Sequence, residues 1–270
     1  MNSLKQVAKS VLPAQAWGAL KRRRQQFDRW RFQPYEVHHT YSGTPLNVWI
    51  GDELGRGWYD QDWEPMAELE LLQTHKLRPG ARVFDLGAHQ CVVAILLSRI
   101  VGPNGSVVAL EATRASVEIA NRNRLLNAAE NLEIVHAAVA AESGSIVFTL
   151  DGHVENNHEK SANVSVDAFS IDDLAKRYGV PDVLFIDVEG YECKALEGAT
   201  ETLRTKPDCF VEVHGGVGLE NFGGTLDKVL SFFPSQDFEL FAAWPDCRFA
   251  KFTDKEQFHG RRFFLISLSR

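Results

Sequence analysis

Val83-Phe84-Asp85-Leu86-Gly87-Ala88-His89-Gln90-Cys91 decides how the rest of this 270-residue chain is read. Val83, Phe84 and Leu86 form a short run of apolar β-formers. Gly87-Ala88 lets backbone approach a ligand closely, and the apolar stretch Val92 to Ile100 continues as a helix. A buried strand that turns directly into a helix is expected to aim free backbone N–H groups at whatever binds there.

Downstream, strands and helices alternate. Helix Gln90 to Val101 precedes strand Ser106 to Leu110, and helix Arg114 to Ala129 precedes strand Leu132 to Val139. Ile146 to Leu150 reads as a fourth strand, and Asp151 to Asn163 as an exposed polar loop. Ser170, with Asp173 three residues on, caps a short helix that stops at Gly179. Strands Val183 to Ile186, Phe210 to Val213, Phe238 to Ala243 and Phe263 to Leu268 follow, the first two separated by a helix reaching Leu203. This alternation predicts an α/β fold with a doubly wound, mostly parallel sheet, whose ligands bind outside the carboxyl ends of the central strands.

Upstream, Val37 to Tyr41 and Leu46 to Ile50 read as a hairpin around Ser42-Gly43-Thr44-Pro45. An aromatic loop, Gly57 to Trp63, reads as simple packing or as a lid over the ligand turn, and a helix from Glu64 to His75 leads to the Pro79-Gly80 turn. The boundaries expected are an extension over residues 1–34 and a main domain over 35–270, with the hairpin and lid in 35–78 and the core in 79–270.

At 44% hydrophobic and 24% charged, the chain has material for one substantial core. Four scattered cysteines with no C-x-x-C pair indicate neither a zinc site nor a disulfide framework. No run approaches the ~20 apolar residues of a membrane span, and a cytoplasmic setting is expected. Residues 1–32 carry eight basic side chains against the single acid Asp28, although the net charge of the chain is -7. Apolar residues near helical spacing there give basic amphipathic helices. They read as an arm packed on its own domain or on a second subunit, or as a peripheral contact with an anionic membrane surface. The acidic remainder argues against nucleic acid, and nothing sets the oligomeric state.

The expected strand ends carry Asp85, Gly87, Ala88 and His89, then Glu111 with Ala112, then Asp187 with Glu189, and His214. An acid in the position of Glu111 accepts the ribose hydroxyls of an adenosine-containing ligand. A nicotinamide cofactor needs G-x-G-x-x-G against its pyrophosphate, and only the first glycine is present, so an oxidoreductase is disfavoured. An adenosine joined to an amino acid, S-adenosylmethionine, needs less of that room.

Six segments carry a resemblance: Val83 to Ala88, Val108 to Glu111, Ser170 to Leu174, Ile186 to Glu192, Leu196 to Ala199 and Val211 to His214. In this order they resemble the FkbM family of S-adenosylmethionine-dependent methyltransferases. The resemblance implies a class I methyltransferase, Rossmann-like fold of seven strands with one antiparallel near the edge. It also implies O-methylation of sugars, polyketides or other small hydroxyl compounds. Asp85, Gly87, Ala88, His89, Glu111, Ala112 and Asp187 are then the cofactor-binding residues. His214 is the expected base, because imidazole titrates near neutral pH, and Glu189 supports the site or a substrate hydroxyl. Asp187, Glu189 and His214 also have the chemistry of a divalent metal site, but two acids are too few to assign one, and no metal is expected. Three positions depart from the family pattern: Cys91 replaces a glycine, Ala112 a proline and Phe185 a lysine. Cys91 is expected to narrow the methionine end of the pocket, and the departures leave open a scaffold that kept the fold without the chemistry. The expected acceptor is a hydroxyl on a sugar or glycolipid precursor.

Overall fold

The computed structural model describes residues 32–149, 163–245 and 247–270; the basic arm and most of the expected polar loop, with His153 and His158, lie outside them. The hairpin β1 (Tyr35–Tyr41) and β2 (Thr44–Ile50) turns on Ser42-Gly43, both at positive φ, so Thr44 and Pro45 enter the strand. Two helices follow, α1 (Glu53–Tyr59) and α2 (Ala67–Gln73). The first takes in Gly57 to Tyr59 of the expected aromatic loop; Asp52 caps it, accepting from the Gly55 amide at 2.7 Å.

The main sheet begins with β3 (Arg82–Leu86), α3 (Val92–Val101), β4 (Ser106–Glu111), α4 (Arg114–Leu126) and β5 (Leu132–His136). The chain then leaves it for a separate three-stranded sheet of β6 (Ala138–Val139), β7 (Gly144–Thr149) and β8 (Asn163–Phe169). Two expectations change here: Leu132 to Val139 is divided at Ala137, and the fourth strand belongs to this side sheet with β8 as its unforeseen central member. Helix α5 (Ile171–Tyr178) is capped as expected, Ser170 Oγ accepting from the Asp173 amide at 3.1 Å.

The chain re-enters the main sheet through β9 (Val183–Ile186), then α6 (Glu192–Glu197), α7 (Thr200–Arg204) and β10 (Asp208–His214). After α8 (Leu226–Ser231), the strands β11 (Phe238–Ala243), β12 (Ala250–Lys251) and β13 (Arg262–Ser269) complete it. The order is β12-β11-β13-β10-β9-β3-β4-β5. Strands β10, β9, β3, β4 and β5 are parallel, and β13 runs antiparallel between β10 and β11. The expected seven strands are present, and the two-residue β12 adds an eighth at the edge.

Alternating side chains feed the two faces. Val83, Val107, Ala109, Val183 and Phe185 join one buried cluster, while Phe84, Leu86, Val108, Leu110, Leu184 and Ile186 join the other. Because the chain runs outward from β3 to β5 and then returns to β9 on the other side, a topological switch point lies between the carboxyl ends of β3 and β9. Among the described residues, no helix is long and apolar enough to cross a membrane.

Candidate active site

The switch point opens into a cleft of about 1020 Å³. Asp85, Gly87, Ala88, His89, Glu111, Ala112, Asp187 and Glu189 all line it, as do Trp58, Tyr59, Trp63, Phe185 and Arg262. Eight of the nine expected site residues line this cleft; the ninth, His214, lies behind it.

The turn after β3 is built differently from expectation. The amides of Gly87 and Ala88 donate to the Leu110 carbonyl at 3.0 and 2.9 Å, and that of Cys91 to the Ala88 carbonyl at 2.7 Å. The His89 amide donates to Glu111 Oε2 at 2.9 Å. These N–H groups are therefore spent inside the protein, and the surface offered to a ligand is carboxylate rather than amide. That chemistry fits a cationic, phosphate-free adenosine better than a pyrophosphate. Glu111 Oε1 also accepts from the Thr113 amide at 2.6 Å, so one carboxylate ties the β3 turn to the β4 loop and keeps lone pairs for hydroxyl donors.

Cys91 adopts a left-handed conformation, φ 62°, at the start of α3, which accounts for glycine being the usual residue there. Its side chain is fully buried in the core cluster and does not line the cleft, so the expected narrowing by Cys91 is not seen. His89, also at positive φ, does line it. Its Nδ1 lies 2.9 Å from Tyr59 Oη, and Trp58 meets its ring edge-on. Helix α1 thus holds the turn from above, in the place foreseen for an aromatic lid. Phe185 stacks on Phe210 with centroids 4.1 Å apart.

Burial, and then the charge of Glu111, raise the Asp85 carboxyl to about 7. Burial also raises Glu111, against the hydrogen bonds from Thr113 and His89. Since Asp85 holds its proton to higher pH when folded than when unfolded, its contribution to stability is complete below about pH 4 and is lost as pH rises to about 7. The limiting slope is ~1.4 kcal/mol per pH unit per proton. Melting curves should therefore fall less steeply between pH 5 and 7.5 in Asp85→Asn than in the parent protein; parallel curves would remove Asp85 as their cause.

Beneath the wall, His214 is only 3% exposed. Its Nδ1 lies 2.7 Å from Glu192 Oε1, which also accepts from the Gly190 amide at 2.7 Å. Its Nε2 faces Glu189 Oε2 and Glu212 Oε1, each at 3.4 Å, and Asp187 Oδ1 at 3.8 Å. Burial alone would lower the imidazole pKa, but Glu192, then Asp187 and Glu212, hold it at about 9. Glu189, at φ 52°, stands between this ring and the cleft. Glu192 and Glu212 were not singled out as functional, although both lie in segments that carried the resemblance; only strand register shows that Glu212 and His214 share a face.

Two sequence profiles match the chain. One, described as the methyltransferase FkbM domain, covers residues 85–240, and the other, protein-L-isoaspartate(D-aspartate) O-methyltransferase, covers residues 22–141. No curated protein matches. Similar solved structures include a precorrin-6y C5,15-methyltransferase from Geobacter metallireducens, at 16% identity and TM-score 0.45, over 73% of this chain and 85% of that one. Another is Aeropyrum pernix fibrillarin with S-adenosyl-L-methionine, at 13% identity and TM-score 0.46, over 89% and 86%. A third is a Bacillus cereus O-methyltransferase in complex with SAH, at 14% identity and TM-score 0.44, over 75% and 78%.

Proposed function

The chain belongs to the methyltransferase FkbM family, and on that premise we propose that it moves a methyl group from S-adenosylmethionine to a hydroxyl oxygen of a sugar or glycolipid. The observation carrying this reading is one cleft lined by both carboxylates and aromatic rings. Apolar sugar faces pack on rings such as Trp58 and Trp63, while carboxylates accept the hydroxyl protons. The basic segment over residues 1–32 suits an anionic membrane surface as the place where a glycolipid is met.

The residues present fit the cofactor. Glu111 is placed for ribose hydroxyls, with Ala112 beside it. Asp85, whose Oδ2 is buried with no hydrogen-bond partner among the described residues, and Asp187 would face the cationic methionine end, against Gly87, Ala88 and His89. The cofactor supplies an already activated methyl group on a sulfonium. The protein's part is to hold the acceptor in line, to exclude water with Trp58, Tyr59 and Trp63, and to take the hydroxyl proton. His214 is the base the sequence suggests, but its ring lies behind the wall of the cleft, whereas Glu189, 3.4 Å from it, lines the cleft. We assign proton acceptance to Glu189 and its positioning to His214 behind it.

Transfer of a labelled methyl group to a panel of glycans and glycolipids tests this directly. A labelled product is expected, and Glu189→Gln should lower turnover by ~10²–10⁴-fold with cofactor affinity unchanged. Label appearing only on proteins or on non-carbohydrate small molecules would end the sugar assignment, and unchanged turnover would end the role of Glu189.

A further inference from the structure

Two of the carboxylates around His214 Nε2 stand at the spacing of ligands that share a cation, and the third, Asp187, stands slightly farther off. Charge-assisted hydrogen bonds close to about 2.7–2.9 Å. Glu189, Glu212 and Asp187 instead stand 3.4, 3.4 and 3.8 Å from Nε2. Ligands placed tetrahedrally at ~2.0–2.2 Å from a metal lie roughly 3.3–3.6 Å apart. We infer that Asp187, Glu212 and His214 form a binding site for one divalent first-row cation, opening into the cleft beside Glu189.

Two further observations point to a ligand. The first is the link behind the ring: Glu192, fully buried, engages His214 Nδ1 at 2.7 Å. A carboxylate on one imidazole nitrogen orients the other toward a metal and raises its basicity. The second is Asp187 Oδ1, a buried oxygen with no hydrogen-bond partner among the described residues, aimed at the same point. Single ligand atoms of Asp187, Glu212 and His214 all lie within 4.8 Å of one another. The fold supplies them economically: Glu212 and His214 are alternate residues on one face of β10, and Asp187 follows the adjacent parallel strand β9. Arg262 Nε donates to Glu212 Oε1, and because that side chain is half exposed it has room to turn away when a cation arrives.

Two carboxylates with one imidazole suit Mn²⁺ or Zn²⁺ better than soft cations, and Glu189 beside them stays free. A cation there would grip an acceptor hydroxyl and lower its pKa next to Glu189. That use rests on the proposed methyl transfer, whereas the site itself does not.

Mn²⁺ titration of the full chain, followed by paramagnetic resonance, separates the two. One Mn²⁺ per chain is expected, with a ¹⁴N coupling from a bound imidazole. Glu192→Gln, which removes no ligand, should weaken binding by roughly 10–100-fold. Asp187→Asn and Glu212→Gln should weaken it at least as much. Absence of binding for both Mn²⁺ and Zn²⁺ at millimolar concentration, or bound Mn²⁺ lacking the ¹⁴N coupling, would overturn the site. The ¹⁴N signal is read on the unaltered protein, so a variant that fails to fold leaves the test intact. Methyl transfer without Mn²⁺ binding would defeat the metal alone, and Mn²⁺ binding without methyl transfer would defeat the proposed reaction alone.

Discussion

Gly87→Ala should weaken cofactor binding and destabilise the protein by about 2–5 kcal/mol. Gly87 has φ +95°, a conformation that costs an L-residue about 1–2 kcal/mol. A Cβ there would also fall on the Asp187 carbonyl oxygen and lie 2.9 Å from its carbon. Both groups are backbone, so relief requires the ends of β3 and β9 to separate, against the Asp187 amide bond to the Leu86 carbonyl at 3.0 Å. Overpacking of this kind adds about 1–3 kcal/mol. Gly80 provides the control, with φ +89° and no atom of the described residues within 4 Å of an added Cβ, so Gly80→Ala carries the conformational cost alone. Urea midpoints should order as parent, Gly80→Ala, then Gly87→Ala. Calorimetry should show cofactor affinity at least ~10²-fold weaker in Gly87→Ala, a loss of about 3 kcal/mol. Equal midpoints for the two variants would show that the close approach to Asp187 does not constrain the turn.

The same glycine shows why so much of this site could be read from the chain. Gly87 follows a β-run, and Asp85, Glu111, Asp187 and Glu189 occur where such runs end; parallel sheets collect strand ends, so local pattern is enough to assemble them. Helix α1 is hard to read locally because Gly55 and Gly57 depress helix propensity, although Asp52 as cap and Glu53 in the first turn are start signals. Gly55 is present for a tertiary reason: a Cβ there would lie 2.5 Å from the buried Gln90 side chain. Strand β8 was hidden by the polar segment before it and by its pairing with β7 across that segment. The direction taken by the Cys91 side chain, the burial of His214 and its partnership with Glu192 all depend on three-dimensional register, which composition and periodicity do not encode. Free turn amides were expected from strand-to-helix geometry, but Leu110 and Glu111 had already claimed them.

Glu111→Ala is expected to weaken cofactor binding by ~10²-fold or more, and the loss should reside in the ribose. Hydrogen bonds to a charged acceptor contribute about 1.5–3 kcal/mol each. Removing this carboxylate also leaves the His89 and Thr113 amides without their partner, which should lower the melting temperature independently of any ligand. Glu111→Gln should fall between the parent protein and Glu111→Ala, because its amide oxygen still accepts from one of the His89 and Thr113 amides while its amide nitrogen cannot accept from the other. The two consequences are separable by a cycle that alters protein and ligand together. For the parent protein, a cofactor analogue lacking both ribose hydroxyls should bind ~10²-fold less tightly than the cofactor. For Glu111→Ala, the two ligands should bind almost equally. If the variant still distinguishes them by the full factor, the hydroxyls are read elsewhere, and the role of Glu111 reduces to tying the turn after β3 to the loop after β4.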